Sequence, residues 1–409
     1  MLKNYFKIAI AVLTRRKFFT FISLFGISFT LAILMVLTAF VDKLVNDNYP
    51  DRKRDQSLYV NKMGEIFKNG YQSSGSLSFY FLDHYAGSLK TPVAVGISSN
   101  YTASNAFVGN KKIVVNVKYT NAAFWDILEY DFREGRPFTK QQIQGGDQVA
   151  VISEDAKKEY FGDMSSVAGK YIDVNNTRYK VAGVVRSAPV TMTMFYADVF
   201  LPYTADKGND RNKSYRGNYT AVLLATSKSA VPAVKEEYEQ MIRRVPAEDK
   251  GVDRFFSYAN SYLNSYLNNG DENNSNATVI VGAVVIVALL FMLLPTLNLV
   301  NINISRIMER SSEIGVRKAF GASSMTLVYQ FVVENIIITL LGGIIGVLLS
   351  LIAIHIINGS NVIANLDLSL NLTVLFWSLL ICLFFGLLSG VYPAWRMSRL
   401  DAVTALKGQ

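Results

Sequence analysis

Four apolar stretches with no charged residue near their centres limit what this chain can become: residues 18–41, 277–300, 331–357 and 372–391. At about 1.5 Å per helical residue, each is long enough to cross a bilayer core about 30 Å thick. The first lies near the N-terminus, where a secretory signal would be shorter and would end in a small-residue cleavage site, so it reads as a retained anchor. Composition points the same way. Half of the 409 residues are hydrophobic and mean hydropathy is +0.22, too apolar for an ordinary soluble domain and too polar for a chain wholly within the membrane. A few spans joined to a sizeable water-exposed domain satisfy both values.

Basic residues set the orientation. Lys3, Lys7, Arg15, Arg16 and Lys17 precede the first span, Arg306, Arg310, Arg317 and Lys318 lie between the second and third, and Arg396, Arg399 and Lys407 follow the fourth. The short segment 358–371 holds Asp367 but neither Lys nor Arg. The positive-inside rule places all three basic flanks in the cytoplasm, which requires four spans with both termini inside. Residues 42–276 then lie outside. The basic balance, a net charge of +9, does not form one patch as a nucleic-acid surface would, and much of it sits beside the apolar segments. Residues 1–17, where Lys3 and Lys7 alternate with apolar side chains, read as a cytoplasmic amphipathic segment at the interface, with a frayed terminus as the alternative. Cys382 is the single cysteine, so no intrachain disulfide can form, and His84 and His355 are too scattered for a metal site.

The outer segment is long enough for a domain with its own core. Residues 57–62 read as a strand, 77–89 as a helix and 92–98 as a strand. The order recurs at 219–225, 230–244 and 254–258. Between the two units, residues 148–153 are apolar and β-branched, and 171–174 with 178–185 alternate about an Asn175-Asn176 turn as a hairpin does. The expected fold is therefore a membrane protein of four transmembrane α-helices. A large α+β domain, two β-α-β units bracketing a β-rich inserted lobe, lies between the first and second.

The cytoplasmic segment 301–330 is the most structured in sequence terms. Ser311 or Ser312 suits a helix N-cap, Glu313 suits the first turn, Arg317 and Lys318 suit the last, and Gly321 suits a left-handed C-cap. Glu313 and Arg317 form an i,i+4 pair. Ser323 or Ser324 can cap the next helix, which becomes the third span. Topology alone accounts for the Lys and Arg residues here but not for Glu309, Glu313 or the paired caps. On the residues themselves, a plain loop and a protein-contact helix both stand.

EIGVRKAFGAS (313–323) resembles the signature of the MacB/FtsX-type ABC transporter permeases, followed by Gln330, Glu334 and Gly342-Gly343. YPAWRMSRLDAVTAL (392–406) resembles the closing motif of that family. GRPF (135–138), VAVIS (149–153), YFG (160–162) and YKVAGVV (179–185) are similar to its periplasmic core. The resemblance covers almost the whole chain, with a MacB-like periplasmic core domain over 42–276 and an FtsX-like permease domain over about 277–402. It implies that Ser312, Glu313, Ile314, Gly315, Arg317, Lys318 and Gly321 dock onto a cytoplasmic ABC-type ATPase. It also implies a second permease copy or paralogue. Some family members carry the ATPase fused ahead of the first span, whereas this sequence starts just before that span. The expectation is a separate ATP-binding partner and no cofactor on this chain.

Other candidates are weaker. GDMSSVAGKY (162–171) lacks the glycine spacing and terminal hydroxyl of a phosphate loop. Gly342 with Gly346, and Gly386 with Gly390, have the GxxxG spacing of close helix packing, against a background of chance glycines in membrane helices. Pro295 is a hinge candidate in the second span, with static packing as its alternative. Glu334, one turn inside the third span, fits a structural pair with a base such as Arg396 better than a functional carboxylate. No acidic pair suggests acid–base catalysis.

Four spans without central charges make a poor polar conduit. The expectation is a non-catalytic permease in the bacterial inner membrane that passes ATP-driven motion to its periplasmic domain, exporting peptides, antibiotics or toxins. Its partners are the ATPase, a second permease, membrane lipids and, as a further option, a periplasmic adaptor with an outer-membrane channel. Lipoprotein release is the runner-up, followed by signalling to cell-wall hydrolases. A membrane-anchored receptor or enzyme acting through its outer domain alone is the alternative of a different class.

Overall fold

In the computed structural model, the described residues are 14–15, 17–108, 111–208, 213–248, 250–267, 278–287, 289–290, 324–360 and 362–370, with 373, 375–377, 379–381, 383–384 and 387. They form two units. One contains the long helices, and the other runs Lys43–Val279 and includes the stretch up to Asp367 that follows the second long helix.

The helical unit is organised by helix α1 (Lys17–Val45) and a later 36-residue helix (Ser324–Gly359). Both are long and apolar enough to cross a membrane, with mean hydropathy 2.4 and 2.7 over their spanning parts. α1 runs past the expected boundary at residue 41 because no breaker interrupts it before Asn46. One face of α1 exposes Phe18, Phe21, Phe25 and Phe29, with Phe25 and Phe29 stacked at 5.5 Å, while the other buries Ile27, Leu31 and Met35 at i,i+4 spacing. A shorter apolar helix, Thr278–Val287, lies where the second span is expected. The remainder of that span, and most of the fourth, lie outside the described residues.

The outer unit begins with β1 (Ser57–Val60), β2 (Met63–Phe67), β3 (Gln72–Gly75), α2 (Phe79–His84) and β4 (Ala94–Ser99). Next come β5 (Thr102–Val108), β6 (Lys111–Thr120), α3 (Ala123–Ile127), β7 (Phe132–Gly135), α4 (Lys140–Gln144), β8 (Val149–Ser153) and α5 (Glu154–Phe161). The remainder comprises β9 (Tyr171–Val174), β10 (Thr177–Val185), β11 (Val199–Pro202), β12 (Tyr219–Leu224), α6 (Val231–Ile242), β13 (Val252–Ser257) and α7 (Tyr262–Tyr266).

β12 pairs antiparallel with both β1 and β4, so β1 and β4 run parallel on either side of it. Together with α2 they make a split β–α–β unit, and α2 and α6 cover its core of Leu58, Phe81, Leu82, Leu223, Val234 and Tyr238. The second expected β–α–β unit does not close. β13 leaves this sheet and pairs antiparallel with β2, beside β3. The inserted β2–β3 hairpin offers it an edge, and Gly64 makes room there: a Cβ would lie 2.1 Å from the Phe256 ring.

The inserted lobe is more regular than the sequence suggested. β6, β11, β8, β10, β9 and β5 pair in turn and β5 returns to β6, closing a ring of six strands. Ile113, Val115, Val117, Ile152, Val174, Val181 and Val199 fill it, as side chains fill a small closed sheet. The β9–β10 turn uses Asn175 and Asn176 at φ +48° and +59°, the left-handed pair that a two-residue hairpin requires. β6 meets β4 at a single register pair, Ser98 with Thr120. Lys118 of β6 is fully buried and donates to the carbonyl of Ser99 at 2.6 Å, and burial lowers its pKa to about 7.

Candidate functional site

The outer domain is entered where the chain passes from the helices into it. The first such passage is residues 46–56, after α1. The last turn of an α-helix leaves carbonyls without intrahelical donors, and α1 ends on Arg54. Its Nη1 donates to the carbonyls of Lys43 at 2.9 Å and Asn46 at 2.7 Å. Its Nε donates to Asp51 Oδ2 at 2.8 Å, and Tyr59 of β1 donates its hydroxyl to the same oxygen at 2.7 Å. Asp51 and Arg54 are 1% and 5% exposed. Burial pushes the Asp51 carboxyl above the ordinary range against the pull of Arg54 and Tyr59, and burial beside Asp51 raises the Tyr59 hydroxyl.

The last part of the outer domain closes onto the same point. The Arg54 guanidinium lies 4.1 Å from the centroid of the Tyr262 ring on α7, a cation–π contact. Tyr59 meets Tyr262 edge-on at 5.3 Å, and its backbone exchanges two hydrogen bonds with Asn260. One guanidinium thus ties the end of α1, the first core strand and the segment that leads towards the second span. Sequence reading missed this cluster. The only local signal was an Asp-x-x-Arg run just outside a span, and nothing in it points to Tyr262.

A second close contact lies within the helical unit. Helix Ser324–Gly359, hereafter α8, buries Ile338, Gly342, Gly346, Ser350 and Ile354, a strict i,i+4 stripe. A Cβ on Gly342 would lie 2.8 Å from Ile27 Cγ2, and one on Gly346 would lie 2.9 Å from the Ser28 carbonyl oxygen and 3.0 Å from Leu31 Cβ. Only hydrogen fits at those two positions. Farther along, Ser350 Oγ approaches Met35 Sδ at 3.7 Å. Glu334, on α8, is 3% exposed.

The remaining sequence candidates fall elsewhere. Ser312, Glu313, Ile314, Gly315, Arg317, Lys318 and Gly321 lie outside the described residues, as do Pro295, Gly386, Gly390 and Arg396. In the segment 162–171, the backbone N–H groups of Val167 and Ala168 donate to Glu134 Oε2 at 2.7 and 3.2 Å. The amides that a phosphate loop would offer to a nucleotide are thus taken by a carboxylate. Glu134 also pairs with Lys157, and though burial alone would raise its pKa, these hydrogen bonds bring it down to about 2. Among the described residues, no group of three or more His, Cys, Asp or Glu is placed to hold a metal ion.

Residues 20–241 match the MacB-like periplasmic core domain, and residues 285–402 match the FtsX-like permease C-terminal domain. The chain belongs to the MacB/FtsX-type ABC transporter permeases. It is 26% identical over 302 residues to the macrolide export ATP-binding/permease protein MacB of Salmonella typhi, covering 73% of this chain and 44% of that one. It is 24% identical over 403 residues to the pyoverdine export ATP-binding/permease protein PvdT of Pseudomonas fluorescens, covering 96% of this chain and 57% of that one. The chain therefore spans about half the length of these curated relatives. Among solved structures, it is similar to the periplasmic region of MacB from Actinobacillus actinomycetemcomitans, with a TM-score of 0.35, 19% identity and coverage of 49% of this chain and 88% of that one. In MacB/FtsX-type terms, α1 and the outer unit up to α6 lie in the core-domain match, and α8 lies in the permease match.

Proposed function

We propose that this chain is the transmembrane subunit of an export ABC transporter, passing ATP-driven motion from a cytoplasmic ATPase partner to the periplasmic domain. The observation that supports this reading best is the Arg54 cluster, which makes the end of α1, β1 and α7 one mechanical piece. In this reading, the segment around Ser312, Glu313, Ile314, Gly315, Arg317, Lys318 and Gly321 receives the motion. The glycine stripe of α8 carries it past α1, with Gly386 and Gly390 as a second close-packed pair and Pro295 as a hinge. Four spans per chain, a second permease copy and ATP hydrolysis on the partner complete the reading. The names of the relatives state export, which favours that use over lipoprotein release; a periplasmic adaptor and outer-membrane channel would extend the route.

The test is purification of the full chain together with its candidate ATPase. The charge-reversed variant E313R/R317E should lose the ATPase. Full activity of the permease in the absence of any ATPase would overturn the proposal.

A further inference from the structure

The segment 362–367, which follows α8, is seated on the outer domain by three directional contacts. Asp367 Oδ2 accepts from Arg186 Nη2 at 3.0 Å, Asn365 Nδ2 donates to Asp155 Oδ2 at 2.6 Å, and the Ala364 carbonyl accepts from the Val190 amide at 3.3 Å. Asn365 adopts φ +59°, and Leu366 N bonds back to Ile363 O, so a tight turn presents these groups together. Their receptors cluster at the exit of β10: Arg186 and Val190 follow the strand, and the Asp155 amide is held by Ser187 Oγ at 3.1 Å.

Arg186 is in turn joined to the stem that follows α1. Its guanidinium lies 5.0 Å from the Tyr49 ring, and the Tyr49 hydroxyl donates to its carbonyl at 2.5 Å. Asp131 receives Arg52 Nη2 at 2.9 and 3.1 Å and lies 4.0 Å from Arg186 Nη1. Asp367, Arg186, Tyr49 with Asp131, and Arg52 therefore form a continuous polar path from the outer loop to the 46–54 stem.

We propose that segment 362–367 is a docking strut, a second line of transmission that couples the part of the chain following α8 to the stem through Arg186, apart from the Arg54 cluster. This inference rests on the transmission reading above but concerns a contact within the chain. Asp367 is 62% and Arg186 36% exposed in their side chains. Exposed pairs of this kind are weak and easily exchanged, which suits a strut that releases and re-forms in each cycle. The fixed anchor is the buried Arg54.

The test is hydrogen exchange on the full chain in lipid nanodiscs, comparing the parent with D367R, R186D and the swapped double variant R186D/D367R. D367R should raise exchange over 362–370 about fivefold, the scale of losing one exposed pair, and should also raise it over 46–54. The swap should restore protection over 362–370 alone, because the carboxylate placed at position 186 then faces Asp131 and no longer stacks on Tyr49. Unchanged exchange in D367R, a rise confined to 362–370, or a swap no better than the single variants would each overturn the strut. The experiment needs no ATPase, so failure to capture an ATPase partner leaves the result standing.

Discussion

The guanidinium of Arg54 lies 4.1 Å from the Tyr262 ring, joining the first residues of the outer domain to its last helix. A positive charge 5% exposed is tolerated there because Asp51, two backbone carbonyls and an aromatic face all receive it.

Removing one partner of such a pair leaves the other charge buried, which costs about 3–5 kcal/mol. Arg54→Ala should therefore lower the stability of the outer domain by that order in denaturant unfolding followed by tyrosine fluorescence. Arg54→Lys should fall between it and the parent, since an ammonium cannot reproduce the planar fork. An Arg54→Ala variant as stable as the parent would show that the cluster bears no load.

The α1–α8 seam makes a separate prediction. Gly346→Leu should force α8 away from the Ser28 carbonyl, at an overpacking cost of about 1–3 kcal/mol. With Met35→Cys and Ser350→Cys in the same chain, a short thiol cross-linker should join the helices readily in the parent and poorly with Gly346→Leu. Gly343→Ala should leave cross-linking intact, because among the described residues the added methyl meets only the Leu379 Cδ2 atom, at 3.3 Å.

Lys118 gives a pH signature. Burial lowers its pKa from 10.5 to about 7, so the unfolded chain holds a proton that the folded chain releases. Stability should then rise with pH between about 7 and 9, because the state that binds more protons is disfavoured as pH rises. Lys118→Met should flatten that slope in chemical denaturation followed across the same range, and an unchanged slope would assign it to another group.

What could be read in advance follows physical range. Hydropathy is local, so the stretches that became α1 and α8 were visible, as were β8 and the β9–β10 hairpin with its Asn175-Asn176 turn. β5 reads TASNAFV and exposes four of its seven residues, so it resembles a loop until β6 and β9 flank it. The departure of β13 to β2 depends on the space above Gly64, a tertiary fact. Arg54 was hidden for the same reason: charged residues beside a span are ordinarily solvated, and only Tyr262 and the end of α1 make this one a cluster.

The closed six-strand lobe has a consequence for stiffness. A ring with every strand paired on both sides has no free edge along which to slide, so the lobe resists internal shear. The lobe joins the split unit where β4 and β6 share one register pair, Ser98 with Thr120, assisted by the Asn121 side chain bonding Ile97 N and Val95 O, and through a common core that includes Tyr59, Phe124, Phe200 and Val222. The outer domain is in this sense one stiff body, because the closed lobe and the split unit share a core as well as a sheet.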